Sequence, residues 1–213
     1  MTSEKKDSRE TRGDTVALEQ DGTRSVVLAG VGGQGTILAA NLLAEALVSH
    51  GYDVKTSEVH GMAQRGGSVI SMVRFGSSVA SPLVPRGEAE AVVATELLEA
   101  LRSLDFLSAD GIMICSRTRV DPLPVLQGAA EYPADAEDRI VRLAPRSMVV
   151  DARSIAGEAG DSRAANTVLL GILSVSLPVP VGEWLSVIEK LVPARALAAN
   201  RNALMAGRGL ATG

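Results

Sequence analysis

The chain has 213 residues, 46% of them hydrophobic and 22% charged, enough for one folded domain with a sizeable core. One cysteine and two histidines exclude an internal disulfide, a self-contained iron–sulfur cluster and a Cys- or His-rich metal centre. A net charge of −4 with only five aromatic residues argues against a nucleic-acid binder, which would show a basic stripe and base-stacking platforms.

Residues 1–24 carry eleven charged side chains and four apolar ones, Met1, Val16, Ala17 and Leu18. So little apolar surface cannot offset chain entropy, and the segment is predicted to be a disordered polar leader. It has no apolar h-region of the secretory kind. The longest apolar run, 168–175, is far short of the ~20 residues of a membrane span. The expectation is a soluble, cytoplasmic chain with no membrane partner.

The fold is expected to begin at Ser25. SVVLAG (25–30) is a short β-branched run ending in glycine and reads as a buried strand. After GVGGQG (30–35) comes TILAANLLAEALVSH, a helix stopped by Gly51 at the C′ position, with His50 in its last turn. Because it is apolar nearly all round, it must be covered on more than one side. YDVKTSEV (52–59) is a second strand. GSVISMVRFG (67–76) is a third, alternating Val69, Ser71 and Val73 against Ile70, Met72 and Arg74, a pattern that predicts a half-exposed strand.

Beyond a turn-rich stretch (77–87) follow a strand (89–95), a helix (96–104), a strand (111–116) and a strand at 146–152. Four helical stretches complete the chain, 151–160, 166–177, 182–190 and 194–206. Short strands alternating with helices predict an α/β fold: a Rossmann-like three-layer sandwich, with a mostly parallel sheet and helices on both faces. A single domain over 25–213 accounts for the whole pattern.

Two clusters carry chemistry. Gly30, Gly32, Gly33, Gln34, Gly35 and Thr36 fit G-x-G-x-x-G between a strand and a helix. Gly30 would permit the tight turn, Gly32 would let a phosphate approach the backbone, and Gly35 would let the helix pack on the strand. Free N–H groups around 34–36 and the helix dipole would attract an anion. Three readings stay open on this motif alone: a dinucleotide with Glu58 on its ribose, another phosphate-bearing ligand, or a purely structural turn. The second cluster, EVHGMAQRGGS (58–68), sets Glu58, His60, Gln64 and Arg65 within eight residues closed by paired glycines, beyond the carboxyl end of a strand. Arg65 could clamp a phosphate or carboxylate, Gln64 could offer amide hydrogen bonds, and His60 could donate a proton or anchor a ligand. No metal-ligand spacing is visible.

The sequence 30–47 followed by 57–76 closely resembles the β subunits of indolepyruvate ferredoxin oxidoreductases, the γ-type domain of the pyruvate/2-oxoacid:ferredoxin oxidoreductases. The resemblance continues through 86–101, Tyr132-Pro133, 149–152, 166–171 and a C-terminal helix holding Asn202, and so spans about residues 25–207. It departs at Ala63, often serine in the family, and in the leader. What it implies is a heteromeric enzyme that oxidatively decarboxylates aryl-pyruvates to aryl-acetyl-CoA and passes electrons to ferredoxin. Thiamine diphosphate, magnesium and the iron–sulfur clusters would belong to a larger α subunit. This chain, inactive alone, would hold none of them, would help complete the active-site cleft and would present CoA. His60, Gln64 and Arg65 are then the catalytic candidates, and residues 30–36 the CoA-binding ones. A pyruvate or 2-oxoglutarate enzyme of the same kind, or a free-standing NAD(P)-binding protein, are the alternatives. Cys115 reads as an inert strand thiol, Glu96 as a helix cap or crevice residue, Asn166 as an N-cap and Trp184 as packing.

Overall fold

The computed structural model describes residues 22–60 and 66–213. Among them are six strands: β1 (Arg24–Val31), β2 (Asp53–His60), β3 (Ser68–Gly76), β4 (Ala89–Ala94), β5 (Leu107–Ser116) and β6 (Ser147–Val150). The helices are α1 (Thr36–Ser49), α2 (Leu97–Ser103), α3 (Leu123–Leu126), α4 (Ala136–Leu143), α5 (Ala152–Glu158), α6 (Ala165–Leu173), α7 (Val181–Leu191) and α8 (Ala194–Thr212). The strands form one sheet in the order β2-β3-β1-β4-β5-β6. Only β3 runs against its neighbours, pairing antiparallel with both β1 and β2.

Helices cover both faces, which is why β1, β4 and the second half of β5 are apolar almost without alternation. Val26, Leu28, Ala91, Val93 and Ile114 point to one side, into a core closed by α1, α5, α6, α7 and α8. Val27, Val92, Ala94, Met113 and Cys115 point to the other, where Ala100 of α2 and Ile140 of α4 meet them. The mostly parallel three-layer expectation holds.

The half-exposed reading of the third strand does not. β3 lies inside the sheet between β1 and β2, so Val69, Ser71, Met72, Val73 and Phe75 are all buried. Its polar–apolar alternation reflects Ser71 and Arg74, not a solvent-facing side. A second difference lies at 117–146, where the sequence offered no element and the structure has α3 and α4. The eight residues of α4 bury little beyond Ala136 and Ile140, too weak a stripe to announce itself.

Helix α1 stops where the sequence predicts. Gly51 has φ +97° and turns the chain out of the helix, while His50 accepts the C-cap position and meets Glu183 of α7 at 3.2 Å. Leu42, Leu43, Ala46 and Leu47 are buried, whereas Ile37, Leu38 and Val48 remain exposed on the outer side. At the crossing of α6 and α8 two glycines let the backbones touch: a Cβ on Gly207 would lie 2.0 Å from the Val168 carbonyl oxygen.

Candidate functional site

The crossover through α1 leads from β1 to one side of the sheet, and the one through α2 leads from β4 to the other. β1 and β4 are neighbours, so their carboxyl ends form the switch point at which open α/β sheets take ligands. A cleft of about 380 Å³ opens there. Gly33, Gln34 and Gly35 after β1, Thr95 after β4, Ser116 at the end of β5 and Thr118 beyond it, and Arg153 after β6 line it. Ser162 and Arg163 from the turn before α6, with Ala165 and Asn166 at its start, close the far wall. Two cations, four hydroxyls and two amides face the cleft, with no carboxylate and only one alanine. That lining suits a polyanion and gives an aryl group nothing to lie on.

The glycine loop is held by its own side chain. Gln34 Oε1 accepts from the Val31 N–H at 3.0 Å and from the Thr95 hydroxyl at 2.6 Å, and Asn166 Nδ2 donates to the Gln34 carbonyl at 2.7 Å. Asn166 is therefore not an N-cap, a place Ala164 takes; it ties α6 to the loop. Gly33 and Gly35 have φ of +96° and +77°, which only glycine adopts freely. Gly30 has no such φ and makes no tight turn. It is required because a Cβ there would lie 2.2 Å from the Thr95 Oγ1 and 2.7 Å from the Thr36 Oγ1. Gly32 does not leave its amide open, since its N–H donates to the Gly67 carbonyl at 2.8 Å and its carbonyl accepts from Gly66 at 3.4 Å. The Gln34 N–H is likewise used, on the Val31 carbonyl. What remains for an anion is the amino end of α1, where the Gly35 N-cap carries no side-chain cap. Beside it the Thr36 hydroxyl is 3% exposed with no hydrogen-bond partner.

Those Gly66 and Gly67 contacts bring the second sequence cluster onto the first. Ser68 extends the connection: its hydroxyl donates to the buried Glu99 Oε2 at 2.5 Å, and Arg102 Nη1 donates to the other oxygen at 2.6 Å. His60 ends β2, with its backbone paired to Val69. Gln64 and Arg65 lie outside the described residues. Glu58 stands on β2, and β3 intervenes between that strand and the glycine loop. Two strand spacings, roughly 9–10 Å, separate β2 from β1, whereas a ribose-binding acid needs the adjacent strand.

Glu96 is the cap that the sequence suggested. Its Oε2 accepts from the Glu99 N–H at 2.9 Å, while Oε1 accepts from the Val120 N–H at 3.1 Å and the Tyr132 hydroxyl at 2.5 Å. Burial and that bond to Glu96 push the phenol well above the usual tyrosine range. The Arg119 guanidinium lies 4.4 Å over the same ring. Beneath Glu96, burial and the Glu96 charge push the Cys115 thiol far up, so it stays protonated. Trp184, 1% exposed, is core packing. Next to the cleft, hydrogen bonds from the side chain and then the backbone of Arg163 hold the Asp161 carboxyl down at about 2.

Thr95, Ser116, Thr118, Arg153 and Arg163 were not singled out from the sequence. A usable signal existed, because each of Thr95, Ser116 and Arg153 stands within three residues of the end of an apolar strand.

Residues 25–210 match the pattern of a family described as pyruvate ferredoxin/flavodoxin oxidoreductase. The chain belongs to this family. Among its relatives, the indolepyruvate oxidoreductase subunit IorB of Thermococcus kodakarensis is 39% identical over 188 residues, covering 86% of this chain and 93% of that protein. The subunit of the same name from Archaeoglobus fulgidus is 39% identical over 160 residues, covering 74% and 79%. The keto/oxoacid ferredoxin oxidoreductase gamma subunit of Geobacter sulfurreducens shares the fold at TM-score 0.65 and 22% identity, over 88% of this chain and 98% of that one. The resemblance drawn from the two glycine-bounded motifs and the α/β expectation both stand. Among the described residues no group of three or more His, Cys, Asp or Glu could hold a metal ion, and no helix is long and apolar enough to cross a membrane.

Proposed function

We propose that this chain is the subunit of a heteromeric indolepyruvate-type 2-oxoacid:ferredoxin oxidoreductase that receives CoA at the β1–β4 cleft. The observation that carries the proposal is the lining: the guanidinium of Arg153, a row of hydroxyls and the amino end of α1, which fits the phosphates of CoA. The 39% identity to IorB subunits over most of the chain supports the aryl-pyruvate class. The oxidative decarboxylation needs thiamine diphosphate with magnesium, and iron–sulfur clusters to carry electrons to ferredoxin. The described residues offer no group of His, Cys, Asp or Glu that could hold the magnesium, and the single thiol, Cys115, is buried, protonated and bonded to a backbone carbonyl, so it cannot ligate a cluster. Thiamine diphosphate, magnesium and the clusters are assigned to a larger partner subunit.

In this reading the chain binds and orients. The amino end of α1 holds an anionic group of CoA, Gln34 keeps the loop open through Thr95 and Asn166, and the 61–65 connection faces the partner's active site. Arg65 there attracts an anionic group of CoA or of the 2-oxoacid, and Gln64 and His60 orient it. Exposed Ile37, Leu38 and Val48 on α1 offer apolar surface for the partner.

The test is reconstitution with the partner subunit. The assembled complex oxidises indolepyruvate with CoA and ferredoxin, and this chain alone does not. Turnover by the isolated chain, or full activity of a partner freed from it, would refute the division of labour.

A further inference from the structure

The cleft offers two separate attractions for negative charge. One is the amino end of α1 with the orphaned Thr36 hydroxyl behind it. The other is the arginine wall beyond the ends of β5 and β6. The two arginines of that wall are not equivalent. Arg163 is held by Asp161 through contacts of 2.6–3.1 Å, so that pair is neutral. Arg153 is exposed and has no ion pair among the described residues. It is the uncompensated charge of the cleft. It sits in the first turn of α5, where Asp151 spends its carboxylate on the Ser154 N–H at 3.0 Å. A ligand that satisfies both places carries one anionic group near the glycine loop and another set apart from it.

We propose that Arg153 is a specificity-determining residue that reads a phosphomonoester remote from the diphosphate, which in CoA is the 3′-phosphate. The inference rests on the CoA reading given above and deepens it. The diphosphate goes to the amino end of α1, where backbone N–H groups converge. The dianionic monoester goes to the planar guanidinium, which can donate two parallel hydrogen bonds. A coenzyme lacking the 3′-phosphate leaves Arg153 solvated and gains nothing from it, so discrimination arises in binding and not in turnover.

The experiment uses the assembled complex and compares CoA with 3′-dephospho-CoA in steady-state kinetics. In the wild type, KM for dephospho-CoA exceeds that for CoA by ~10- to 100-fold, the size of one charge-assisted contact. Arg153→Ala raises KM for CoA to the dephospho-CoA value and leaves kcat, and KM for dephospho-CoA, unchanged. Arg153→Lys recovers part of the difference. Adenosine 3′,5′-bisphosphate competes with CoA in the wild type and loses that competition in Arg153→Ala. Equal KM increases for both coenzymes, or an unchanged ratio, would overturn the role of Arg153 and leave the CoA reading intact. A wild-type complex whose turnover is independent of CoA would overturn that reading itself.

Discussion

Replacing Gly30 by alanine sets a Cβ 2.2 Å from the Thr95 Oγ1 and 2.7 Å from the Thr36 Oγ1, both inside contact distance. Thr95 cannot simply turn away, because its hydroxyl donates to Gln34 Oε1 at 2.6 Å and so holds the glycine loop. Overpacking of this kind costs about 1–3 kcal/mol, and the lost Thr95–Gln34 bond adds about 0.5–1.5 kcal/mol. Gly30→Ala is therefore expected to destabilise the chain by roughly 2–4 kcal/mol, well within the ~5–15 kcal/mol of a folded domain. Urea unfolding followed by circular dichroism measures this as a lower midpoint at unchanged slope. The decisive measurement is the double-mutant cycle with Thr95→Ala. Removing the Thr95 hydroxyl leaves only its Cβ, at 3.4 Å, so the double variant recovers part of the loss. The expected coupling is about 1–2 kcal/mol, with the Thr36 hydroxyl preventing full recovery. Strict additivity would refute the argument that Gly30 exists to seat Thr95, and with it the account of how the loop is held.

The 61–65 connection is tested at Arg65: Arg65→Ala weakens CoA or 2-oxoacid use by the complex ~10- to 100-fold, while Arg65→Lys restores part. Assembly with the partner, followed by gel filtration, survives both changes; unchanged kinetics or lost assembly would contradict the role. Gly207→Ala drives a Cβ to 2.0 Å from the Val168 carbonyl and 2.9 Å from its carbon, backbone atoms that cannot rotate aside. It should separate α6 from α8 and cost at least ~3 kcal/mol in the same urea assay, beyond the usual overpacking range. Gly209→Ala, two residues on with nothing within 4 Å, is its neutral control. Cys115, protonated and buried, should resist a thiol reagent in buffer and react fully in urea; rapid labelling of the native chain would contradict its placement.

Much of the architecture was legible because local chemistry decides it. Continuous apolar runs between helices announced buried parallel strands, Gly51 stopped α1 through its own φ, and Glu96 stood three residues before the amide it caps. These features involve neighbours within about one helical turn. The antiparallel entry of β3 between β1 and β2 was not legible, because pairing order is a property of the whole sheet. That order alone carries Glu58 away from the glycine loop and buries a strand whose pattern looked half exposed.

The site divides in the same way. The sequence by itself determined a glycine-bounded loop opening onto a long helix, and a second polar cluster between glycines beyond a strand end. Only the tertiary structure decided what each residue does there. Gln34 meets Thr95 across 61 positions of chain and Asn166 across 132, so it became a cross-tie of the loop. Gly30 is small for the sake of Thr95, and Gly32 spends its amide on Gly67. Arg153 enters the cleft because β6 lies at the sheet edge and turns into α5 on the same side as the other strand ends. Local propensity acts through φ, ψ and nearest side chains and carries no record of such distant partners; they meet because burying two apolar faces against one sheet brings four strand ends to a single edge.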